Sequence, residues 1–262
     1  MTEPADYTPP KVWTWNKESG GKFAGINRPV AGPTHDKELP VGRHPLQLYS
    51  LATPNGVKVT VMLEELLALG HNGAEYDAWL ININDGDQFG SGFVAVNPNS
   101  KIPALTDRSG PKSIRVFESG AILMYLADKH QRFFPSSGEP RLRTIEWLMW
   151  QMSAVGPFLG RAHYFLRNNP GKAPFAEAWF AKEAQRLYSV LNRQLQPRDY
   201  IAGDYSIADI ACFPWIARHA WHRVDLNDYP QVKDWYLRIA GRPAVVKGYS
   251  VPDGKNRIPL PE

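Results

Sequence analysis

Residues 97–127 read NPNSKIPALTDRSGPKSIRVFESGAILMYLA, and the fold turns on this stretch. Ile102-Pro103 stands between a polar approach (Asn97, Asn99, Ser100, Lys101) and an apolar strand start, Ala104-Leu105-Thr106. Proline fixes φ and removes a donor, so it suits the first residue of a strand or an edge. A cis bond there turns the Ile102 backbone outward, where an extended ligand can pair with it. Asp107 to Lys112 is a loop rich in Ser, Gly and Pro, and Ile114-Arg115-Val116-Phe117 is a second strand. That strand runs into Glu118-Ser119-Gly120 and a helix with apolar Ile122, Leu123, Leu126 and Ala127. Free backbone N–H groups at Ser119 and Gly120 make a small anion site at the head of this helix. A backbone edge beside an anion-binding helix end suits an extended peptide with a free carboxylate. An ordinary hairpin followed by a capped helix fits the same local pattern.

Upstream, Leu46 to Ser50 alternates and reads as a strand. Thr53 is placed to cap a helix whose first residue is Pro54 and whose stop is Gly70. Val59, Met62, Leu63, Leu66 and Leu67 form its buried stripe, with Lys58, Glu64 and Glu65 expected elsewhere on its surface. Tyr76 to Ile81 completes a β-α-β unit with a right-handed crossover. Thr53 and Asn55 then lie at the carboxyl end of the first strand, on the same edge as Ile102 and Ser119. Asn82 to Ser100 reads as a long loop; its Asp85-Gly86-Asp87-Gln88 lacks the alternating ligands of a calcium loop. Residues 1–45 show no sustained periodicity. They read as an extended arm laid on the body of the protein, because Val12, Trp13, Trp15, Phe23 and Ile26 are costly to leave in water.

After Phe133-Phe134-Pro135-Ser136-Ser137-Gly138, strand-like runs disappear. Leu142 to Leu159 predicts a long helix kinked at Gly156-Pro157, followed by a helix over Phe175 to Leu195. Ser206 with Asp209 forms a capping-box-like start for an almost wholly apolar helix, Ile210 to Trp221. A further helix over Val232 to Ala240 ends at Arg242-Pro243-Ala244. The expected organisation is an arm (1–45), an α/β domain (46–130), an all-α domain (138–246) and a tail (247–262).

Composition narrows the function classes. Two ordinary domains fit 262 residues, and 43% hydrophobic residues with nine Trp support a sizeable core. The net charge of +4 is spread along the chain, which speaks against a nucleic-acid partner. One cysteine excludes an internal disulfide framework, a CxxC redox pair and a Cys-rich zinc site. Cys212 falls in the apolar Ile210–Trp221 segment, where an inert buried thiol is expected. His219 and His222 are three apart but lack a third ligand, so no metal is expected. The polar, Pro-bearing start MTEPADYTPP is no signal peptide, and no run approaches the roughly 20 apolar residues of a membrane span. A cytoplasmic protein with no membrane partner is the expectation.

The strings LYSLATPNG, NPNSKIPAL, FESGAIL and WQMSAVGPFLGRAHYF, with the arm KVWTWNKESGGKFAGINRPVAG, resemble the Nu-class bacterial glutathione transferases of the long-armed branch. These are similar to the bacterial glutathione-dependent disulfide-bond oxidoreductases. The resemblance implies a thioredoxin-like N-terminal domain followed by an all-helical C-terminal domain, and a homodimer. It makes Pro103 a cis-proline, pairs the Ile102 backbone with the cysteinyl unit of glutathione, and gives the γ-glutamyl end to Glu118 and Ser119. Gln88, assisted by Lys101, would reach the glycyl end. The activating position falls in Thr53-Pro54-Asn55. There the Thr53 hydroxyl and the Asn55 amide or backbone N–H are the expected donors to the thiolate, although Thr53 also fits a simple helix cap. Asn27 and Gln151 match places that help a second glutathione, so one or two per subunit are expected. Relatives often carry a cation where this chain has Trp179, which leaves Arg161 or Arg167 to replace it. The implied activity is disulfide reduction at a glutathione thiol without a protein cysteine, with organic hydroperoxide reduction as a further one. Conjugation of electrophiles and a non-enzymatic glutathione-binding regulator are the alternatives.

Overall fold

The computed structural model describes residues 8–15, 21–26 and 28–261. Its N-terminal half is a four-stranded sheet of β1 (Leu46–Ser50), β2 (Tyr76–Leu80), β3 (Ala104–Asp107) and β4 (Ile114–Phe117), in the order β2-β1-β3-β4. β1 runs parallel to β2 and antiparallel to β3, and β4 returns antiparallel to β3. The helix α1 (Pro54–Ala68) makes the β1-to-β2 crossover, and α3 (Ser119–His130) follows β4 and packs beside it. This is the thioredoxin-like arrangement, with the Ile102-Pro103 bond cis at the mouth of β3.

Two expectations for this half fail for the same reason, burial from outside the segment. β1 does not alternate; all five of its residues are buried, Gln47 and Ser50 included. It is a central strand, and its second face is closed by Phe93, Ile81 and the arm residue Leu39. Gln47 is satisfied there by Gly42 N–H, the His44 carbonyl, Asp77 and Trp79. α1 shows no solvent face of Lys58, Glu64 and Glu65, which are 1%, 5% and 3% exposed. Helices of the second half cover that side. Glu65 accepts from Arg242 Nε at 2.5 Å and Nη2 at 2.8 Å, while Glu64 pairs with Lys247 at 2.7 Å.

The segment expected to be a loop before β3 contains a 3-10 turn, Asp87–Phe89, and a short helix α2 (Ser91–Val96). The arm divides. Thr34 N–H donates to the Phe89 carbonyl, Lys37 pairs with Asp87, and Tyr49 donates to the Pro40 carbonyl, so this part lies on the body. Val12, Trp13 and Trp15 do not; they are 77%, 67% and 49% exposed.

The second half is helical: α4 (Gly138–Trp150), α5 (Gly156–Ala162), α6 (Pro174–Leu195), α7 (Ile207–Ile216), α8 (Pro230–Ala240) and α9 (Pro243–Tyr249). α4 does not simply kink at proline. A π-helical turn, Gln151–Val155, carries it into α5, and this widened turn accommodates Pro157, which has no N–H to give to the preceding turn. A second π-helical turn, His163–Asn168, continues the run beyond the expected Leu159. The Ser206/Asp209 capping box forms as expected, and Asp209 also accepts from Ile201 N–H and Trp235 Nε1. The apolar helix starts earlier and stops at Ile216, short of Trp221, with a 3-10 turn His219–His222 beyond it. α8 ends at Ala240 as expected, and Pro243 then begins a further helix, α9, since proline suits a first helical turn. One core runs through both halves, joining Leu48, Met62 and Leu63 to Phe213, Trp235 and Tyr236.

Candidate active site

Three adjoining cavities follow the carboxyl edge of the sheet. The middle one, about 210 Å3, is lined by Asn55, Asn97, Asn99, Lys101, Ile102, Pro103, Glu118 and Ser119. A cavity of about 360 Å3 shares Asn55 and Glu118 with it and reaches Lys58, Gln151, Met152, Arg161 and Trp215 of the domain junction. On the other side, a cavity of about 270 Å3 shares Asn99 and Lys101 and lies under Ile26, Arg28 and Val30 of the arm.

Local chemistry shapes this edge. Asn97 Nδ2 donates to the Lys101 carbonyl at 2.5 Å and its Oδ1 accepts from Asn99 N–H at 2.9 Å, so one amide folds the approach to Ile102. Glu118 holds φ 67° and ψ 119° at the N-cap of α3, with no side-chain cap bond to the helix. A non-glycine residue there is strained, and such strain gathers at ligand sites. It leads into the first N–H groups of α3, from Ser119 and Gly120, and Ser119 lines the middle cavity. Lys101 Nζ donates to the Ile26 carbonyl at 3.1 Å and faces two of the cavities. Burial and the neighbouring Arg161 charge lower its pKa.

The structure therefore brings Asn55, Lys101, Ile102, Glu118, Ser119 and Gln151 onto one cleft. Thr53 and Pro54 line none of the three cavities, although Asn55 beside them lines two. Thr53 is the N-cap of α1, its hydroxyl accepting from Gly56 N–H at a long 3.4 Å, and Pro54 is the first helical residue. Gln88 does not line any of the three cavities. It is buried, donates to the Ile83 carbonyl at 3.2 Å, and has no partner for Oε1 among the described residues. Asn27 lies outside the described residues. Trp179 is 60% exposed, Arg161 lines the junction cavity, and the Arg167 guanidinium sits 3.3 Å over the Trp221 ring.

Lys58 is the member that sequence reasoning missed. It is three residues after Asn55 on the same helix, a spacing that places both on one face. Its Nζ donates to Gln151 Oε1 at 2.6 Å, Ser119 Oγ at 3.1 Å and Met152 Sδ at 3.4 Å. Burial pushes its pKa down to about 7, against the pull of Cys212 and Glu118. Cys212 itself is 0% exposed within α7, and burial pushes its thiol far up. Among the described residues no cluster of three or more His, Cys, Asp or Glu side chains could hold a metal. No described helix is long and apolar enough to cross a membrane. His222, expected to pack, is buried between His163 Nε2 at 2.7 Å and Tyr188 Oη at 2.9 Å.

Residues 44–128 match the family model for the glutathione S-transferase N-terminal domain, and residues 157–243 match that for its C-terminal domain. This chain belongs to the glutathione S-transferase family. It is 55% identical over 251 residues to the disulfide-bond oxidoreductase YghU of Escherichia coli K12, covering 92% of this chain and 87% of that one. The crystal structure of the glutathione transferase YghU from Streptococcus pneumoniae, complexed with glutathione, superposes with a TM-score of 0.89 at 45% identity, covering 94% of this chain and 98% of the other. A glutathione transferase from Burkholderia graminis with two glutathione molecules bound per subunit gives a TM-score of 0.73 at 40% identity, over 80% and 89% of the two chains. In glutathione S-transferase terms, the cis-Pro103 mouth and the head of α3 form the N-terminal half of the cleft, and the α4–α5 run forms its C-terminal wall.

Proposed function

We propose that this transferase is a glutathione-dependent disulfide-bond oxidoreductase whose reacting thiols both come from glutathione. The carrying observation is the pairing of a peptide-shaped cleft with a sole cysteine, Cys212, that is sealed inside α7 with a raised pKa. The protein offers no thiolate, so its part is to ionise and align thiols that bind.

In this reading the Ile102 backbone pairs with the cysteinyl unit, Ser119 and Gly120 N–H groups take the γ-glutamyl carboxylate, and the Glu118 carboxylate takes its ammonium. Lys101 attracts the glycyl carboxylate, with Gln88 supporting the loop beneath. The Thr53 hydroxyl and the Asn55 amide, at the start of α1, donate to the sulfur and lower its pKa from about 8.5. That thiolate attacks one sulfur of the substrate disulfide, forming a mixed disulfide and expelling a thiolate that takes up a proton. A second glutathione thiolate then attacks the glutathione sulfur of the mixed disulfide. The products are glutathione disulfide and two reduced substrate thiols. Gln151, Arg161 and Asn27 of the arm would serve the second glutathione, Arg161 standing in for the cation absent at Trp179. We further infer a cytoplasmic homodimer, able to reduce organic hydroperoxides with the same pair of thiolates; transfer to electrophiles is the competing use of the cleft.

Glutathione-dependent turnover of a small disulfide, measured beside an aromatic halide, tests the function. Disulfide turnover well above the halide rate supports it; halide conjugation alone would make the protein a conjugating transferase. In Thr53→Ala, disulfide turnover is expected to fall at least tenfold and to return in Thr53→Ser. Wild-type turnover in Thr53→Ala would leave that hydroxyl a helix cap.

A further inference from the structure

Lys58 is a lysine enclosed by neutral acceptors. Its three N–H donors meet Gln151 Oε1, Ser119 Oγ and Met152 Sδ, and it is 1% exposed. In the ammonium form, which a bound anion favours, Lys58 only donates, and each contact then fixes the direction of the group that receives it. Gln151 must turn its oxygen to Lys58, and its Nε2, fully buried, has no partner among the described residues. Gln151 lines the junction cavity, so a ligand there meets an amide donor. Ser119 Oγ accepts from Lys58, which frees the hydroxyl hydrogen for a ligand; its other contact is Met152 Sδ at 3.7 Å, a weak acceptor. The charged and titratable groups facing Lys58 are Glu118 at the head of α3 and Cys212 on α7; Arg161 of α5 lines the same cavity.

We propose that Lys58 is a positioning residue of the thiol site: it takes up a proton when the anionic ligand binds and, as the ammonium, aims the Ser119 hydroxyl and the Gln151 amide at that ligand. The assignment rests on the glutathione reading above. Among the described residues no carboxylate is hydrogen-bonded to Lys58, and burial makes its cation costly. A ligand carboxylate at Ser119 supplies the missing negative charge and favours the ammonium. At pH 8, about one unit above its free value, Lys58 is mostly neutral, so binding should draw in most of one proton.

Titration calorimetry of S-methylglutathione at pH 8, in buffers of different ionisation enthalpy, reads this uptake without interference from a ligand thiol. The full-length wild type is expected to take up about half a proton or more, and Lys58→Met close to none. In Lys58→Met the thiolate absorbance of bound glutathione should titrate at least about one pH unit higher, with kcat falling more than KM rises. Uptake below about a tenth of a proton in wild type, or equal uptake in both proteins, would overturn the proposal. The wild-type measurement decides alone if Lys58→Met does not fold. Wild type that binds neither glutathione nor S-methylglutathione would overturn the functional reading itself, and this assignment with it.

Discussion

Trp215 Nε1 donates to Asn55 Oδ1 across 3.1 Å, linking α7 of the helical domain to the first turn of α1. An indole N–H is a donor only, so it claims the amide oxygen and leaves Asn55 Nδ2 for the cavity that both residues line. The C-terminal domain thus sets the direction of a donor carried by the N-terminal one.

Removing that donor should loosen the aim without emptying the site. Trp215→Phe is expected to lower kcat for disulfide reduction about tenfold while glutathione affinity changes a few-fold. Asn55→Asp replaces the donor with acceptor oxygens that repel a thiolate, and about a hundredfold loss is expected, in the range seen for a lost oxyanion donor. Steady-state kinetics on both variants check the ranking. Wild-type kcat in Trp215→Phe would show that Asn55 needs no indole to orient it.

Packing between the domains depends on a glycine. A Cβ at Gly248 would lie 2.7 Å from Val61 Cα and 2.8 Å from the Thr60 carbonyl oxygen, both backbone atoms of α1. The Gly248 carbonyl also accepts from Thr60 Oγ1 at 2.6 Å. Gly248→Ala should therefore lose about 1–3 kcal/mol of stability, despite alanine's better helix propensity. Urea unfolding measures it, and an unchanged midpoint would mean that α9 can slide off α1 at no cost.

Acid stability should carry the signature of Asp107. Burial alone would raise its pKa, but hydrogen bonds from Lys129, Tyr125 and Ser109 outweigh that and hold it at about 2. A depressed folded pKa gives stability that is present above the unfolded value, near 4, and lost as pH falls towards 2. The loss expected over that window is about 2 kcal/mol. In Asp107→Asn this part of the pH dependence should disappear; an unchanged slope between pH 4 and 2 would assign it to other carboxylates.

What the sequence disclosed was what short segments determine. β1 and β4, the Thr53 cap with Pro54 behind it, and the Ser206/Asp209 box rest on neighbours a few residues apart, and they stand where the pattern put them. Ile102 and Ser119 could be put on one edge because a strand mouth and a helix start carry their own marks, and both line the middle cavity; the roles expected of them and of Glu118 came from the resemblance. Lys58, Glu64 and Glu65 were not, since α1 looks amphipathic until α7 and α9 cover its second side. The partner that orients Asn55 is 160 residues away, beyond any local periodicity. SGFVAV, the core of α2, has no cap or charge pattern to announce a helix. Val12, Trp13 and Trp15 misled in the other direction: their apolarity argued for contact with the body, and they stand exposed.

On the proposed function, disulfide reduction uses no protein thiol. Glutathione-dependent turnover of a small disulfide by Cys212→Ala tests it most directly, because that substitution removes the sole cysteine. Turnover within about twofold of wild type is expected, with a small loss of stability from the truncated core side chain. A fall of tenfold or more in the folded variant would return Cys212 to the chemistry.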